Sequence, residues 1–289
     1  MNSELNLQLA STHQQFITYL TSLKRAHATI LAYSKDIEQL IQFLSGLGKK
    51  SVPEVEKSDL EAFLKKLAGD GYTPKSLSRK INSIKTFYRF LKNQNIVTLN
   101  AAADIAHPRY DVKPPRVLTK MEYRALRDAC RGDVRTYAIV ELFLQTGIRI
   151  GELANLKVGN VMDKELSVEA QEGHPERSVP LNKAAKVAID HWLTIRPKTD
   201  NSSLFITKTG RPLLVRNIRT TIDRYFKLAG IEGAKVNDLR HTFIAHHLAA
   251  GTPLTVISKL VGHKRLSTTE KYLDLVKEKM VENVKLEEL

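Results

Sequence analysis

The sequence is poor in cysteine and has no long apolar run. Cys130 is the only cysteine among 289 residues, which excludes an intrachain disulfide and a cysteine-based zinc cluster. No apolar stretch approaches the length of a membrane span, and the N-terminal segment lacks the basic and apolar regions of a secretory signal. These absences predict a soluble cytoplasmic protein without a membrane partner.

Acidic residues are outnumbered by basic residues. The chain has 45 Lys and Arg against 31 Asp and Glu, a formal net charge of +14, and both halves are positive. Charge of one sign spread over a whole chain is typical of a polyphosphate partner, most often nucleic acid. A merely basic soluble protein is the competing interpretation.

The first half of the chain predicts four amphipathic helices. Apolar residues recur at spacings of three and four in HQQFITYLTSL, TILAYSKDIEQLIQFL, SDLEAFLKKLA and TPKSLSRKINSIKTFYRFL. The fourth helix has a second face with almost no acidic residues, and a face of one sign favours contact with a phosphate backbone. We therefore predict DNA contacts from Lys75, Arg79, Lys80, Lys85 and Arg89.

Prolines divide the chain. The segment AHPRYDVKPPRVLTK contains three of them, so a regular helix is excluded there. We predict a helical domain at 1–107, a linker at 108–118 and a second domain at 119–289. The second domain is mostly helical, with a hairpin formed by KELSVEA and RSVPLN. The expected class is therefore mainly α, with a mixed α+β second domain that has a small antiparallel sheet.

Polar residues that can take part in catalysis lie on otherwise apolar elements of the second domain. They are Arg149, Arg240 and His263, with Tyr272 following the histidine. Two arginines can clamp a phosphate, a tyrosine hydroxyl can attack phosphorus, and a histidine can assist proton transfer. Because the cations are protein groups, this chemistry requires neither a metal nor another cofactor.

Other interpretations compete with this one. Arg149 with Glu152 is compatible with an ordinary ion pair, and a lone tyrosine is more often a packing residue. The spacing of His241, His246 and His247 does not match a helical zinc site. A metal-dependent nuclease is disfavoured because the sequence lacks a carboxylate cluster.

The constellation resembles that of the tyrosine recombinases, the phage-integrase and Xer-like family. TGIRIGEL resembles the first arginine box, LRHTF the second, and LVGHKRLSTTEKY the segment with the histidine and the nucleophilic tyrosine. The resemblance extends to the N-terminal half, which implies a SAM-like core-binding domain followed by a catalytic domain. It implies catalytic roles for Arg149, Arg240, His263 and Tyr272. We also predict DNA contacts from Arg177 and from His241, for which a structural role is the alternative.

The sequence departs from the family pattern at two positions. The family has a lysine in the hairpin turn that is thought to protonate the leaving 5′-hydroxyl, and here Glu172 occupies that position. The second box usually begins with a histidine, and here that residue is Asn237. We count both positions as catalytic candidates. We also hypothesise that His174 supplies the missing proton, with Lys164 as a weaker candidate.

The resemblance implies a site-specific recombinase, Xer-like or carried by a mobile element such as a transposon. Its two domains would clamp double-stranded DNA, and four protomers would exchange strands through a Holliday junction. The tail KEKMVENVKLEEL would dock on a neighbouring protomer, and a partner recombinase or accessory protein is a further possibility. The alternative is a DNA-binding regulator or accessory subunit of the same fold whose strand exchange is weakened or lost.

Overall fold

The chain folds into two compact units, residues 1–112 and 113–289. The structure is a computed structural model that describes residues 2–171 and 173–282, with side chains described for 8–171 and 173–277. The division falls inside the segment 108–118 that the prolines marked as a linker, and Leu118 is already buried in the core of the second unit. Among the described residues, no helix combines the length and apolar composition of a membrane span.

The regular elements described in the first unit are all helices. Its helices are α1 (Asn2–Ser22), α2 (His27–Gly46), α3 (Lys57–Gly69) and α4 (Pro74–Asn93), with a short 3-10 turn at Val52–Glu54. α4 begins where the sequence places Pro, because Thr73 accepts a hydrogen bond from the backbone N–H of Ser76 and Pro74 needs no partner. Aromatic side chains fill the core, and the rings of Phe16 and Phe87 pack edge to face with 5.1 Å between their centroids.

The second unit surrounds one hairpin with helices. They are α5 (Lys120–Cys130), α6 (Val134–Thr146), α7 (Ile150–Asn155), α8 (Lys183–Ile195), α9 (Val215–Leu228), α10 (Val236–Ala249), α11 (Leu254–Val261), α12 (Ser267–Glu270) and α13 (Leu273–Glu282), with a 3-10 turn at Val158–Asn160. α6 is buried along most of its length and packs against α5, α8 and α10. The mainly helical class with a small sheet is confirmed.

The hairpin pairs β1 (Glu165–Val168) with β2 (Arg177–Pro180) in antiparallel register. Leu166 lies opposite Val179, and both side chains point into the core. Because side chains alternate along a strand, the side chain of Arg177 shares the inward face with Val179. This placement decides the role of Arg177 in the site below.

Candidate functional site

Two segments of the second unit bring Arg149 and Arg240 to the same loop. Arg149 immediately precedes α7, and Arg240 lies early in α10. Arg149 Nη2 donates to the carbonyl oxygen of Gly262 at 2.6 Å, and Arg240 Nη2 donates to that of Val261 at 2.7 Å. Both guanidinium groups therefore hold the end of α11, just before His263.

Two glycines make this approach possible. Gly147 ends α6 with φ +60°, and a Cβ there would come within 2.4 Å of the Phe243 ring. Gly262 ends α11 with φ +66°, and a Cβ there would lie 3.0 Å from Arg177 Nη1 and 3.3 Å from Arg149 Nη1. Both positions need a left-handed backbone and close contact, which only glycine tolerates without strain.

Glu152 orients Arg149 and Arg177 through hydrogen bonds to their guanidinium groups. Its Oε1 accepts from Arg149 Nη1 at 2.8 Å and from Arg177 Nη1 at 2.9 Å, and its Oε2 accepts from Arg177 Nη2 at 2.7 Å. Burial raises the pKa of Glu152, but the bonds from Arg177 and from the backbone N–H of Arg149 outweigh burial and lower the pKa to about 2. The expected pairing of Arg149 with Glu152 is therefore present, as part of a larger network.

Arg177 is not placed to contact DNA, and that prediction was wrong. Its side chain is only 8% exposed, and it donates both Nη groups to Glu152 and its Nε to the carbonyl oxygen of Leu260 at 2.7 Å. All of these donors are used inside the protein. The alternation of Arg177 with the inward-facing Val179 was a sequence signal for this burial.

Arg240 is a buried cation whose hydrogen bonds to the described residues reach no carboxylate. Its Nη1 donates to the carbonyl oxygen of Gly147 at 2.6 Å, and its Nη2 donates to Val261. Burial, followed by the positive charge of Arg149, lowers the pKa of Arg240 to about 9, which still leaves the guanidinium protonated at neutral pH. A buried positive charge held only by neutral carbonyls favours an anion beside it.

His263 follows the loop that the arginines hold. Its Nδ1 lies 2.8 Å from the hydroxyl of the buried Thr269, and its Nε2 has no hydrogen bond to a described residue and is available to a ligand. Burial and the charges of Arg240 and Arg149 lower the pKa of His263 to about 4. The imidazole is therefore neutral at pH 7 and can accept a proton.

Tyr272 lies between α12 and α13 and is 5% exposed. Its ring packs edge to face against His241 at 5.8 Å between centroids. Burial raises the pKa of Tyr272 to about 12, although the positive charge of Arg240 opposes that rise. The structure thus brings Arg149, Arg240, His263 and Tyr272 into one region, which we call the candidate site.

Asn237 and His241 form one wall beside the tyrosine. The amide nitrogen of Asn237 lies 2.6 Å from His241 Nε2, and His241 Nδ1 lies 3.4 Å from a carboxylate oxygen of Asp238. These contacts orient the half-buried His241 ring against Tyr272. Asn237 therefore reaches the candidate site through His241.

The hairpin turn approaches the loop that follows α11. Gln171 and His174 exchange backbone hydrogen bonds of 3.1 and 2.8 Å at the turn. Burial, then the charges of Arg149 and Lys264, lower the pKa of His174. Glu172 lies outside the described residues. Sequence reasoning overlooked Lys264, whose Nζ lies 3.0 Å from the place a Cβ on Gly173 would occupy.

Lys164 is not near the turn. Its carbonyl accepts from the backbone N–H of Leu181, at the end of the hairpin where the strands enter and leave. Seven residues separate it from Gln171, which corresponds to roughly 20 Å of extended chain. The register therefore removes Lys164 from the candidates for proton transfer.

The basic face of α4 is less uniform than the sequence indicates. Lys75, Arg79 and Arg89 are exposed and Lys85 is half-buried, as a DNA-binding face requires. Lys80 is buried, however, and donates to Asp36 Oδ1 at 2.8 Å and to Gln39 Oε1 at 2.7 Å. The prediction of a phosphate contact from Lys80 was wrong, because its ammonium is used inside the helical unit.

No metal-binding cluster accompanies these cations. Over the residues that the structure describes, no group of three or more His, Cys, Asp or Glu is arranged to hold a metal ion. Three arginines contribute positive charge to the candidate site: Arg149 and Arg240 donate to the loop before His263, and Arg177 supports them through Glu152. Such an arrangement can bind a phosphate and stabilise added negative charge on its oxygens.

Family comparison identifies both parts of the chain. Residues 116–279 match the phage integrase family, and residues 13–95 match the N-terminal SAM-like domain of phage integrases. The first match contains every residue of the candidate site, and the second contains the basic face of α4.

Individual proteins give the same result. The tyrosine recombinase XerC of Lactobacillus delbrueckii subsp. bulgaricus is 31% identical over 274 residues, which cover 90% of this chain and 92% of the relative. The crystal structure of XerA recombinase is 27% identical, with a TM-score of 0.54 over 94% of this chain and 96% of its own. A lambda integrase tetramer bound to a Holliday junction shares the fold at 19% identity, with a TM-score of 0.73 over 92% of this chain and 80% of its own.

Proposed function

The chain belongs to the phage integrase family, the tyrosine recombinases, and from this premise we propose that it recombines DNA at specific sites by cutting and rejoining strands through Tyr272. The observation that carries the proposal is the convergence of Arg149 and Arg240 on the loop that leads into His263 and Tyr272. A tyrosine beside two arginines and a neutral histidine has the parts that phosphoryl transfer requires.

In the proposed step, the Tyr272 oxygen forms a bond to phosphorus and the bond between phosphorus and the 5′-oxygen breaks. The products are a 3′-phosphotyrosyl link and a free 5′-hydroxyl, and ligation is the reverse reaction. Arg149 and Arg240 stabilise the charge that develops on the nonbridging oxygens. Because the link conserves the energy of the phosphodiester, rejoining needs no external energy source.

The nucleophile needs a proton acceptor. With a pKa of about 12, only about one Tyr272 hydroxyl in 10⁵ is ionised at pH 7. His263 is neutral at that pH, and its Nε2 is free, so it can take the tyrosine proton as attack proceeds. We assign Asn237 a positioning role, since its amide holds the His241 ring that packs on Tyr272.

DNA binding would extend over both units. We assign backbone contacts on α4 to Lys75, Arg79, Lys85 and Arg89, which line its exposed side. We further propose that four protomers assemble on paired sites and exchange strands through a Holliday junction, as the lambda integrase tetramer suggests by its fold. The tail expected to join protomers begins at Lys277; its first six residues complete α13, and the remainder lies outside the described part.

The second candidate function is that of a protein with the same fold that binds DNA without completing strand exchange. The observation that favours it is the pair of departures from the family pattern, Glu172 in the hairpin turn and Asn237 in α10. A glutamate at neutral pH is normally ionised and cannot donate a proton to the leaving oxygen. Such a protein would act as a regulator or as an accessory subunit.

Covalent trapping separates the two functions. A library of nicked duplexes with a randomised centre is mixed with the protein, and adducts that survive denaturing electrophoresis are isolated and sequenced. We expect the wild type to form an adduct and Tyr272→Phe to form none while it still binds the selected DNA, because only the attacking hydroxyl is lost.

The matched control is Tyr110→Phe, which changes an exposed tyrosine of the first unit and should trap like the wild type. A wild type that binds DNA without an adduct would favour the regulatory function. An adduct that persists in Tyr272→Phe would show that another residue is the nucleophile.

A further inference from the structure

We propose that Lys264 is the proton donor for the leaving 5′-oxygen, a role that rests on the phosphoryl transfer proposed above. Lys264 directly follows His263 and reaches the hairpin turn, where its Nζ lies 3.0 Å from the Cβ position of Gly173. Its side chain is exposed, so a bound DNA strand can meet the ammonium. The step needs a group at this place because a departing alkoxide requires a proton.

The backbone under Lys264 is held in place. His263 donates its backbone N–H to Ser258 at 2.9 Å, and Gly262 donates its own to Lys259 at 3.0 Å, which closes the end of α11. Arg149 fixes the next carbonyl, that of Gly262, at 2.6 Å. The arginine that would bind the phosphate thus also fixes the chain two residues before Lys264.

Lys264 and the nucleophile contact different elements. The ring of Tyr272 packs against His241 on α10. The Nζ of Lys264 instead lies at the hairpin turn, 3.0 Å from the Cβ position of Gly173. In-line displacement places attacking and leaving oxygens on opposite faces of the phosphorus, and we assign the leaving group to the turn side.

The other groups of the site are poorer donors. His174 and His263 have lowered pKa values and are neutral at pH 7, where neither carries an acidic proton to give. Arg149 is bound to Glu152 and Gly262, and guanidinium groups do not give up protons in proteins. Lysine carries three donor protons on a flexible stem, which suits a group that must follow a departing oxygen.

The step conserves protons, because the proton of the Tyr272 hydroxyl passes to His263. As the bond between Tyr272 and phosphorus forms, the electron pair of the breaking bond moves to the 5′-oxygen, which takes a proton from the Lys264 ammonium. Lys264 is left as a neutral amine and recovers a proton when the 5′-hydroxyl attacks during ligation. This assignment replaces His174, our hypothesis from the sequence, with a residue that does not belong to the hairpin.

The test compares two versions of the trapped DNA, one with oxygen and one with sulfur at the bridging 5′ position. A thiolate leaves without protonation, so the sulfur substrate bypasses the need for an acid. We expect Lys264→Met to cleave the oxygen substrate at least roughly 100-fold more slowly than the wild type, and the sulfur substrate at nearly the wild-type rate. Lys264→Arg should resemble Lys264→Met, because arginine keeps the charge without an available proton.

Arg265→Ala is the matched control, since it removes the next exposed cation of the same loop and should change neither rate. Equal slowing of Lys264→Met on both substrates, or a fully active Lys264→Arg, would overturn proton donation. A wild-type rate for Lys264→Met on oxygen would do the same. Failure of the wild type to cleave either substrate would instead overturn the proposed function itself, and so the two failures are distinguishable.

Discussion

Each unit of the protein buries one carboxylate between two cations, yet the two clusters serve different ends. Asp36 accepts from Arg79 and Lys80 in the helical unit, and Glu152 accepts from Arg149 and Arg177 in the second unit. In both clusters one cation is nearly buried and the other is partly exposed.

What differs is the surroundings of the exposed cation. Arg79 lies on a helix surface, where water and salt screen its charge. Arg149 and Arg240 donate to the same loop, and within the described residues the hydrogen bonds of Arg240 go to backbone carbonyls. A carboxylate buried with two cations therefore stabilises the structure in both units, and the proposed phosphate site of the second unit rests on the additional arginine, Arg240, which has no carboxylate partner among the described residues.

The largest expected effect is on folding. Asp36→Ala leaves Lys80 buried without its partner, and Glu152→Ala does the same to Arg177, so each should lower the free energy of unfolding by about 3–5 kcal/mol. Urea titration of the purified proteins, monitored by circular dichroism, measures the loss. If only one variant is destabilised, the two clusters are not equivalent devices.

The second effect should separate the clusters. Arg240→Ala removes a donor that acts on the transition state, which typically costs about 2.7–4 kcal/mol, so cleavage should slow at least roughly a hundredfold. Arg79→Ala removes the exposed cation of the Asp36 cluster and should leave the cleavage step nearly unchanged. Single-turnover cleavage at saturating DNA measures both. Equal losses would mean that the phosphate site is not where the unpaired arginine lies.

The sequence allowed the helices, the hairpin and the convergence of the site motifs to be predicted, because these depend on local periodicity and on motifs of fixed spacing. It did not show which cations form ion pairs inside the protein. Lys80 is spaced like its exposed neighbours, and its partner Asp36 is 44 residues away. The burial of Arg177 was easier to foresee, because Arg177 lies on the same face of its strand as the apolar Val179. The reach of Lys264 to Gly173 depends on the tertiary fold alone.

The smallest effect concerns the salt dependence of DNA binding and tests the rest of the α4 face. Lys85→Ala and Arg89→Ala each remove a cation for which we find no ion pair among the described residues, so each should reduce the slope of log affinity against log salt by about one unit. Arg79→Ala should reduce it by less, because the positive charge of Arg79 is already offset by Asp36. Fluorescence anisotropy on the selected duplex between about 50 and 200 mM salt resolves this difference, which amounts to about a fourfold change in affinity over that range.

An unchanged slope for Lys85→Ala and Arg89→Ala would show that this face is only solvated. A full unit of loss for Arg79→Ala would show that its pair with Asp36 opens when DNA binds.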